Sequence, residues 1–271
     1  MKNIGIIGYG NIGRGVSSAI IDGVIPNVSL VAVLDKEISD TQRPYLDGNS
    51  IKPFTSFDDF IGEDINIVLE AASPSVASSY AKRILSKGID FIPMSVGGLI
   101  QPGFLEELEE EARKTGASLI IPAGAVTGHN IADAGKIGNL SEVRLQTSPR
   151  VTSLKEALYV IENNIDIESM EEPQVIFRGN VFDAVRCFPS NVNIAASLAL
   201  AGNGPSETIV EVSVNPKSTS SEQRVFITGD FGEFECKISL APTENNAASL
   251  LSIYSLLAAL KKHVSPIKFG Y

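Results

Sequence analysis

Apolar positions in the first part of the chain switch repeatedly between two periods. Asn3–Ile7 is a short apolar run ending in Gly8, and from Ile12 to Ile21 apolar residues recur at helical spacing, so a strand, a turn and a helix follow one another. A β-branched run over Val28–Leu34 ends at Asp35. The alternation continues with a strand over Ile65–Glu70, a helix over Val76–Lys87, a strand over Asp90–Pro93, an acidic amphipathic helix over Gly103–Thr115 and a strand over Ser118–Ile121. Lys87-Gly88 and Thr115-Gly116 supply the cation or glycine on which helices stop. Strands alternating with helices predict an α/β fold with a doubly wound parallel sheet.

Beyond Pro122 the rhythm becomes β-rich. Strands are predicted over Glu142–Thr147, Gln174–Arg178, Thr208–Val214, Arg224–Thr228 and Phe234–Leu240, with helices over 154–162 and 190–201. The Ser/Thr-rich stretch Asn215–Gln223 reads as a connection, and a closing helix over Ala247–His263 returns to the first domain. The expected division is 1–122 plus 245–271 for a nucleotide domain and 123–244 for an α+β, mostly antiparallel domain.

Composition narrows the function. With 44% hydrophobic and 20% charged residues the chain is ordinary globular protein, and a net charge of −10 speaks against a nucleic-acid partner, which clustered Lys and Arg would bind. Cys187 and Cys236 are far apart and outside any C-x-x-C spacing, so neither a disulfide framework nor a metal site is expected. No apolar run approaches the roughly 20 residues of a membrane span. The expectation is a cytoplasmic protein with a small-molecule substrate.

The first turn is the most informative segment. Gly8-Tyr9-Gly10-Asn11-Ile12-Gly13 has the G-x-G-x-x-G spacing directly after a strand and before a helix. Gly8 allows the tight turn, Gly10 lets backbone approach a pyrophosphate, Gly13 lets helix and strand pack closely, and the amides of Asn11 and Ile12 open the helix toward the negative charge. Asp35, at the end of the second strand, is placed to accept hydrogen bonds from the adenosine ribose. Such an acid favours NAD over NADP, while the adjacent Lys36 offsets a 2′-phosphate and keeps NADP open. Ala72, Ser73 and Pro74 close another strand at its carboxyl end, where they line a nicotinamide or simply cap the next helix. The first domain is therefore expected to be of Rossmann type.

Several stretches together resemble the L-aspartate dehydrogenase family over nearly the whole chain. They are Ala71–Pro74, Met94–Leu99, Pro122–Gly128, the run Phe188-Pro189-Ser190-Asn191-Val192-Asn193-Ile194-Ala195-Ala196, and Glu244-Asn245-Asn246. The resemblance implies a Rossmann domain with an α+β catalytic domain, a homodimer, and reversible NAD(P)-dependent oxidative deamination of aspartate to iminoaspartate or oxaloacetate plus ammonia. It implies that the loop from Gly124 through Ala125 and Thr127 to Gly128 lines the substrate and cofactor, and that Asn191 and Asn193 meet nicotinamide and substrate. Helix capping is the alternative account of the two asparagines, more so for Asn191 than for Asn193.

The departures are chemical. The family has an acid/base histidine whose place, counted on from Phe188-Pro189, falls here on Gln223, which orients a substrate but exchanges no proton near neutral pH. His129, directly after the loop, is the candidate replacement, with a limb in the pH–rate curve expected near neutrality; the alternative is a supporting histidine at a helix start. The family's loop serine is lost at Ala123 and a hydroxyl gained at Thr127. Arg224, ahead of Lys217 and Arg186, is the expected counter-ion for a dicarboxylate, or else a solvated arginine. The competing expectation is a relative that binds NAD(P) without aspartate dehydrogenase activity, as another reductase or a nucleotide-sensing regulator.

Overall fold

The structure, a computed structural model, describes residues 1–188, 193–218, 220–240 and 250–268. These fall into two compact units, one within Met1–Pro122 and Leu250–Phe269, the other within Ala123–Ser249.

In the first unit the chain runs β1 (Lys2–Ile7), α1 (Asn11–Ile21), β2 (Val28–Leu34), α2 (Arg43–Gly48), β3 (Lys52–Phe54), α3 (Phe57–Phe60), β4 (Ile67–Glu70), α4 (Pro74–Leu85), β5 (Asp90–Pro93) and α5 (Phe104–Thr115). Its strands form one parallel sheet in the order β3-β2-β1-β4-β5. The order reverses at β1, because β2 and β3 are laid to one side and β4 and β5 to the other; ligands of open parallel sheets lie at the carboxyl ends beside such a switch. Alternate strand residues feed two apolar clusters, as a period of two requires. Ile4, Ile6, Val33, Ile67, Leu69 and Ile92 join Val16 and Ile20 of α1 and Leu256 and Leu260 of the C-terminal helix. Ile7, Ala32, Leu34, Val68 and Phe91 join Phe57, Phe60 and the α4 residues Ala77, Ala81 and Ile84.

The C-terminal helix, Leu250–Val264, is tied to the sheet by more than apolar contact. His263 Nε2 lies 2.7 Å from Asp90 Oδ2, and Asp90 Oδ1 accepts the Ser118 N–H at 2.8 Å. Burial by itself would raise the Asp90 carboxyl, but these hydrogen bonds outweigh it and hold the group below its ordinary value. Ser118–Ile121 contributes a single parallel bridge, Phe91 with Leu119, rather than a full strand. β3 was not foreseen, because three residues containing Pro53 carry no period; proline is tolerated there since the strand is an edge.

The second unit contains α6 (His129–Gly135), β6 (Leu140–Ser148), α7 (Val151–Leu154), α8 (Leu158–Glu162), β7 (Gln174–Asn180), α9 (Val181–Cys187), α10 (Asn193–Ala201), β8 (Ile209–Val214), β9 (Ser221–Gly229) and β10 (Gly232–Leu240). The sheet order is β10-β9-β6-β8-β7, antiparallel except for the β6–β8 pair. The expected helix over 154–162 is two short helices, and α9 precedes α10 unforeseen. The last three residues of the expected 215–223 connection already belong to β9. One sheet face carries Val143, Leu145, Val210, Val212, Val225 and Ile227, all buried, under α6 and α9, against which α10 packs. The other carries charge: Glu211 accepts from Arg144 at 3.4 Å and pairs with Arg178, and the Arg144 guanidinium lies 4.0 Å over the Phe226 ring.

Candidate functional site

The glycine turn is built by close approach. Gly8 has φ +93°, and a Cβ on it would stand 2.7 Å from the Ala71 carbonyl and the Ala72 nitrogen. A Cβ on Gly13 would come within 1.9 Å of the Gly8 carbonyl oxygen, so the first turn of α1 rests directly on the bend. Gly10 differs, because a Cβ there meets nothing within 4 Å. α1 starts at Gly10 with no side-chain cap and no acidic residue in its first turn, leaving the amides of Asn11, Ile12 and Gly13 to an anion. A cavity of about 390 Å³ opens beside them, lined by Gly8, Gly10, Asp35, Lys36, Ala72 and Ser73 among others. These residues suit a dinucleotide.

Asp35 has a second task that the spacing did not reveal. Its Oδ2 accepts the Tyr9 N–H and its Oδ1 the Glu37 N–H at 3.2 Å, so it braces the glycine bend. A carboxylate has about four acceptor sites, and ribose hydroxyls can take the rest. Ser73 also serves two readings: its Oγ caps α4 through the Val76 N–H at 3.3 Å, with Pro74 in the first turn, while the residue borders the cavity.

Sequence reasoning assigned Glu70 to a strand and gave it no role. It is fully buried, and among the described residues no cation pairs with it. Its Oε1 accepts from the Ala72 N–H (2.7 Å), the Ser73 N–H (2.9 Å) and the Ser95 hydroxyl (2.9 Å), and its Oε2 from the Ser95 N–H (3.1 Å). Burial raises its pKa and these donors oppose the rise. One carboxylate thus holds both carboxyl-edge loops, after β4 and after β5. The available signal was a lone acid ending an otherwise apolar strand, Ile67-Val68-Leu69-Glu70. Glu70→Ala strands all four donors, and a loss of about 3–5 kcal/mol in urea denaturation is expected, with weaker dinucleotide binding. Wild-type stability in that variant would refute the assignment.

In the second unit, Gly124 (φ +69°) turns against Ile194 of α10, with Ala125 buried and Thr127 exposed. Gly128 (φ +101°) approaches Val225, Ile227 and Phe234, which seats the start of α6 on the apolar sheet face. His129 begins α6, and its Nε2 lies 3.0 Å from Ser197 Oγ, whose own proton goes to the Ile194 carbonyl at 3.1 Å. That chain makes Nε2 the protonated nitrogen and leaves Nδ1 a buried acceptor with no partner among the described residues. Burial lowers the His129 pKa to about 4, which moves the limb expected near neutrality to acid pH.

Gln223 is buried on the same face as Val225. Arg224 alternates to the opposite, charged face, where its Nε donates to Glu222 Oε1 at 2.8 Å. Neighbours in a strand point to opposite faces, so Arg224, the expected counter-ion, and Gln223 lie on opposite faces of the sheet. Lys217 and Arg186 are exposed and paired with Glu172 and Asp183. Asn193 opens α10. Asn191, like Glu244-Asn245-Asn246, lies outside the described residues.

A model described as the C-terminal domain of aspartate dehydrogenase matches residues 130–263, and one described as the NAD-binding domain of homoserine dehydrogenase matches residues 8–122. L-aspartate dehydrogenase of Methanocella arvoryzae is 33% identical over 271 residues, covering 100% of both chains. The chain belongs to the L-aspartate dehydrogenase family. The Methanocaldococcus jannaschii member is 30% identical, again over 100% of both chains. The crystal structure of aspartate dehydrogenase from Thermotoga maritima shares the fold, with a TM-score of 0.77, 24% identity and 99% coverage of each chain. Family membership agrees with the Rossmann-type first unit and the largely antiparallel second sheet, and the resemblance read from the sequence is borne out. Among the described residues no helix is long and apolar enough to cross a membrane, and no cluster of His, Cys, Asp and Glu suited to a metal occurs.

Proposed function

We propose that the protein is an NAD(P)-dependent dehydrogenase that oxidatively deaminates L-aspartate, or a closely related small amino acid, to the imino and keto acid with release of ammonia. The observation that carries this reading is full-length similarity to L-aspartate dehydrogenases in a chain whose glycine bend and uncapped α1 are open to a diphosphate. The bound nicotinamide would accept hydride from the substrate Cα. The amide groups of Asn11, Ile12 and Gly13 hold the pyrophosphate, and Asp35 holds the ribose. That carboxylate favours NAD, while Lys36 in the same cavity leaves NADP accessible.

Hydride loss requires a neutral amine, so a proton must leave the substrate nitrogen. Gln223 cannot take it. His129 Nδ1 is an unprotonated acceptor at physiological pH and is the group we assign to it. Ala125, Thr127 and Gly128 line the substrate, and Gly124, Asn191 and Asn193 contact cofactor or substrate. A homodimer in a reducing cytoplasm belongs to the same reading, and the free thiols Cys187 and Cys236 are compatible with it.

The test is nicotinamide absorbance with purified protein, NAD or NADP and aspartate, and in reverse with oxaloacetate and ammonium. Turnover in both directions is expected, and none with any common amino acid or keto acid would refute the reading. Gln223 itself favours a second one, a family member that binds NAD(P) and has lost the deamination. Dinucleotide binding without turnover would select it.

A further inference from the structure

A buried charge ordinarily has a buried partner of opposite sign, and among the described residues Glu70 has none. Its four neighbours, the N–H groups of Ala72, Ser73 and Ser95 and the Ser95 hydroxyl, all donate to it, so a protonated carboxyl would aim its own hydrogen at donors. The group is therefore held as a carboxylate. Neutral acceptors would tie the two loops without the cost of burying an ion. Position gives the charge a task. Ala72 and Ser73 line the nucleotide cavity, and the carboxylate sits directly behind them. The sheet order puts β2, which leads into Asp35, on one side of β1 and β4 on the other. A dinucleotide crosses such a switch with one nucleotide on each side. With Asp35 taking the adenosine ribose, the nicotinamide half falls to the loops after β4 and β5, the two that Glu70 holds.

We propose that the buried carboxylate of Glu70 is the counter-charge of the oxidised nicotinamide ring and sets the preference of the site between NAD+ and NADH. The ring is cationic when oxidised, and the hydride it accepts, one proton with two electrons, leaves it neutral while the rest of the dinucleotide keeps its charge. A negative charge in a desolvated wall on the ring side stabilises bound NAD+ over bound NADH. Asp35 and Lys36, at the adenosine end, act alike on both forms. Weighting the bound couple toward NAD+ favours departure of hydride from the bound cofactor, the reductive direction of the proposed deamination. The inference rests on the dinucleotide site alone and is independent of which amino acid is the substrate.

Calorimetric titration of Glu70→Gln with NAD+ and with NADH tests this. Relative to the wild type, affinity for NAD+ is expected to fall about tenfold further than affinity for NADH, which raises the potential of the bound two-electron couple by about 30 mV. Ser95→Ala removes one tie between loop and carboxylate but keeps the charge, so it should weaken both forms alike and leave their ratio within about twofold of wild type. Equal losses for NAD+ and NADH in Glu70→Gln reduce Glu70 to a tie between loops and overturn the proposal while leaving the dinucleotide site intact. A wild-type protein that binds neither form overturns the site and the charge assignment together. Should Glu70→Gln fail to fold, the wild type decides. NAD+ bound more tightly than NADH, with the ratio kept in about 1 M salt where exposed charges are screened, supports the proposal, and NADH bound the more tightly overturns it.

Discussion

Gly10→Val is expected to melt with the wild type and to lose dinucleotide affinity by about a hundredfold or more, equivalent to about 2.7 kcal/mol of lost contact. The side chain enters open space in the free protein, since a Cβ there meets nothing within 4 Å, and backbone at φ −75° accepts a β-branched residue. The space it fills is where a diphosphate must approach the amides of α1. Gly13→Ala behaves in the opposite manner. Its Cβ would stand 1.9 Å from the Gly8 carbonyl, so helix and turn must separate, and a stability loss of about 3 kcal/mol or more accompanies any loss of binding. Calorimetric titration with NADH beside thermal melting separates the two. Tight NADH binding by Gly10→Val would remove the glycine bend from the nucleotide site.

His129→Ala is expected to lower kcat for aspartate oxidation about a hundredfold with NADH affinity unchanged, the usual scale for losing a positioned base. Adding Gln223→His should recover part of that rate, because it returns a titratable nitrogen to the face on which Gly128 seats α6. With the His129 pKa near 4, the wild-type pH–rate curve should carry its histidine limb at acid pH and none near neutrality. Stability should follow the same group. The folded pKa lies below the ordinary 6.5, so the unfolded chain binds the proton more readily. Stability from this group is intact above about 6.5 and declines as pH falls toward 4. Wild-type kcat in His129→Ala would reduce His129 to a tie between α6 and Ser197, and a large gain from Gln223→His alone would favour the reading in which deamination has been lost.

Residues that act through local backbone geometry were legible without coordinates. The glycine bend at Gly8, Gly10 and Gly13 and the place of Asp35 follow from one strand, one turn and the next strand, and the spacing of such elements is written in consecutive residues. Residues that act through distant partners were not. Glu70 collects donors from two loops, the nearer two and three residues on and the farther 25 residues on. The apolar pattern shows that Glu70 ends a buried strand, but it does not reveal which loops its carboxylate will reach.

By itself the chain's order of apolar and polar residues determined the alternating α/β first unit, the β-rich second, the nucleotide turn and the family likeness, because each rests on short-range periodicity or on a contiguous motif. Tertiary structure alone decided that Arg224 turns away from Gln223, that burial depresses His129, and that a single buried carboxylate ties two loops at the cofactor edge. Facing, desolvation and long-range hydrogen bonding are properties of packed neighbours, and packing is settled only when the whole sheet closes on its helices.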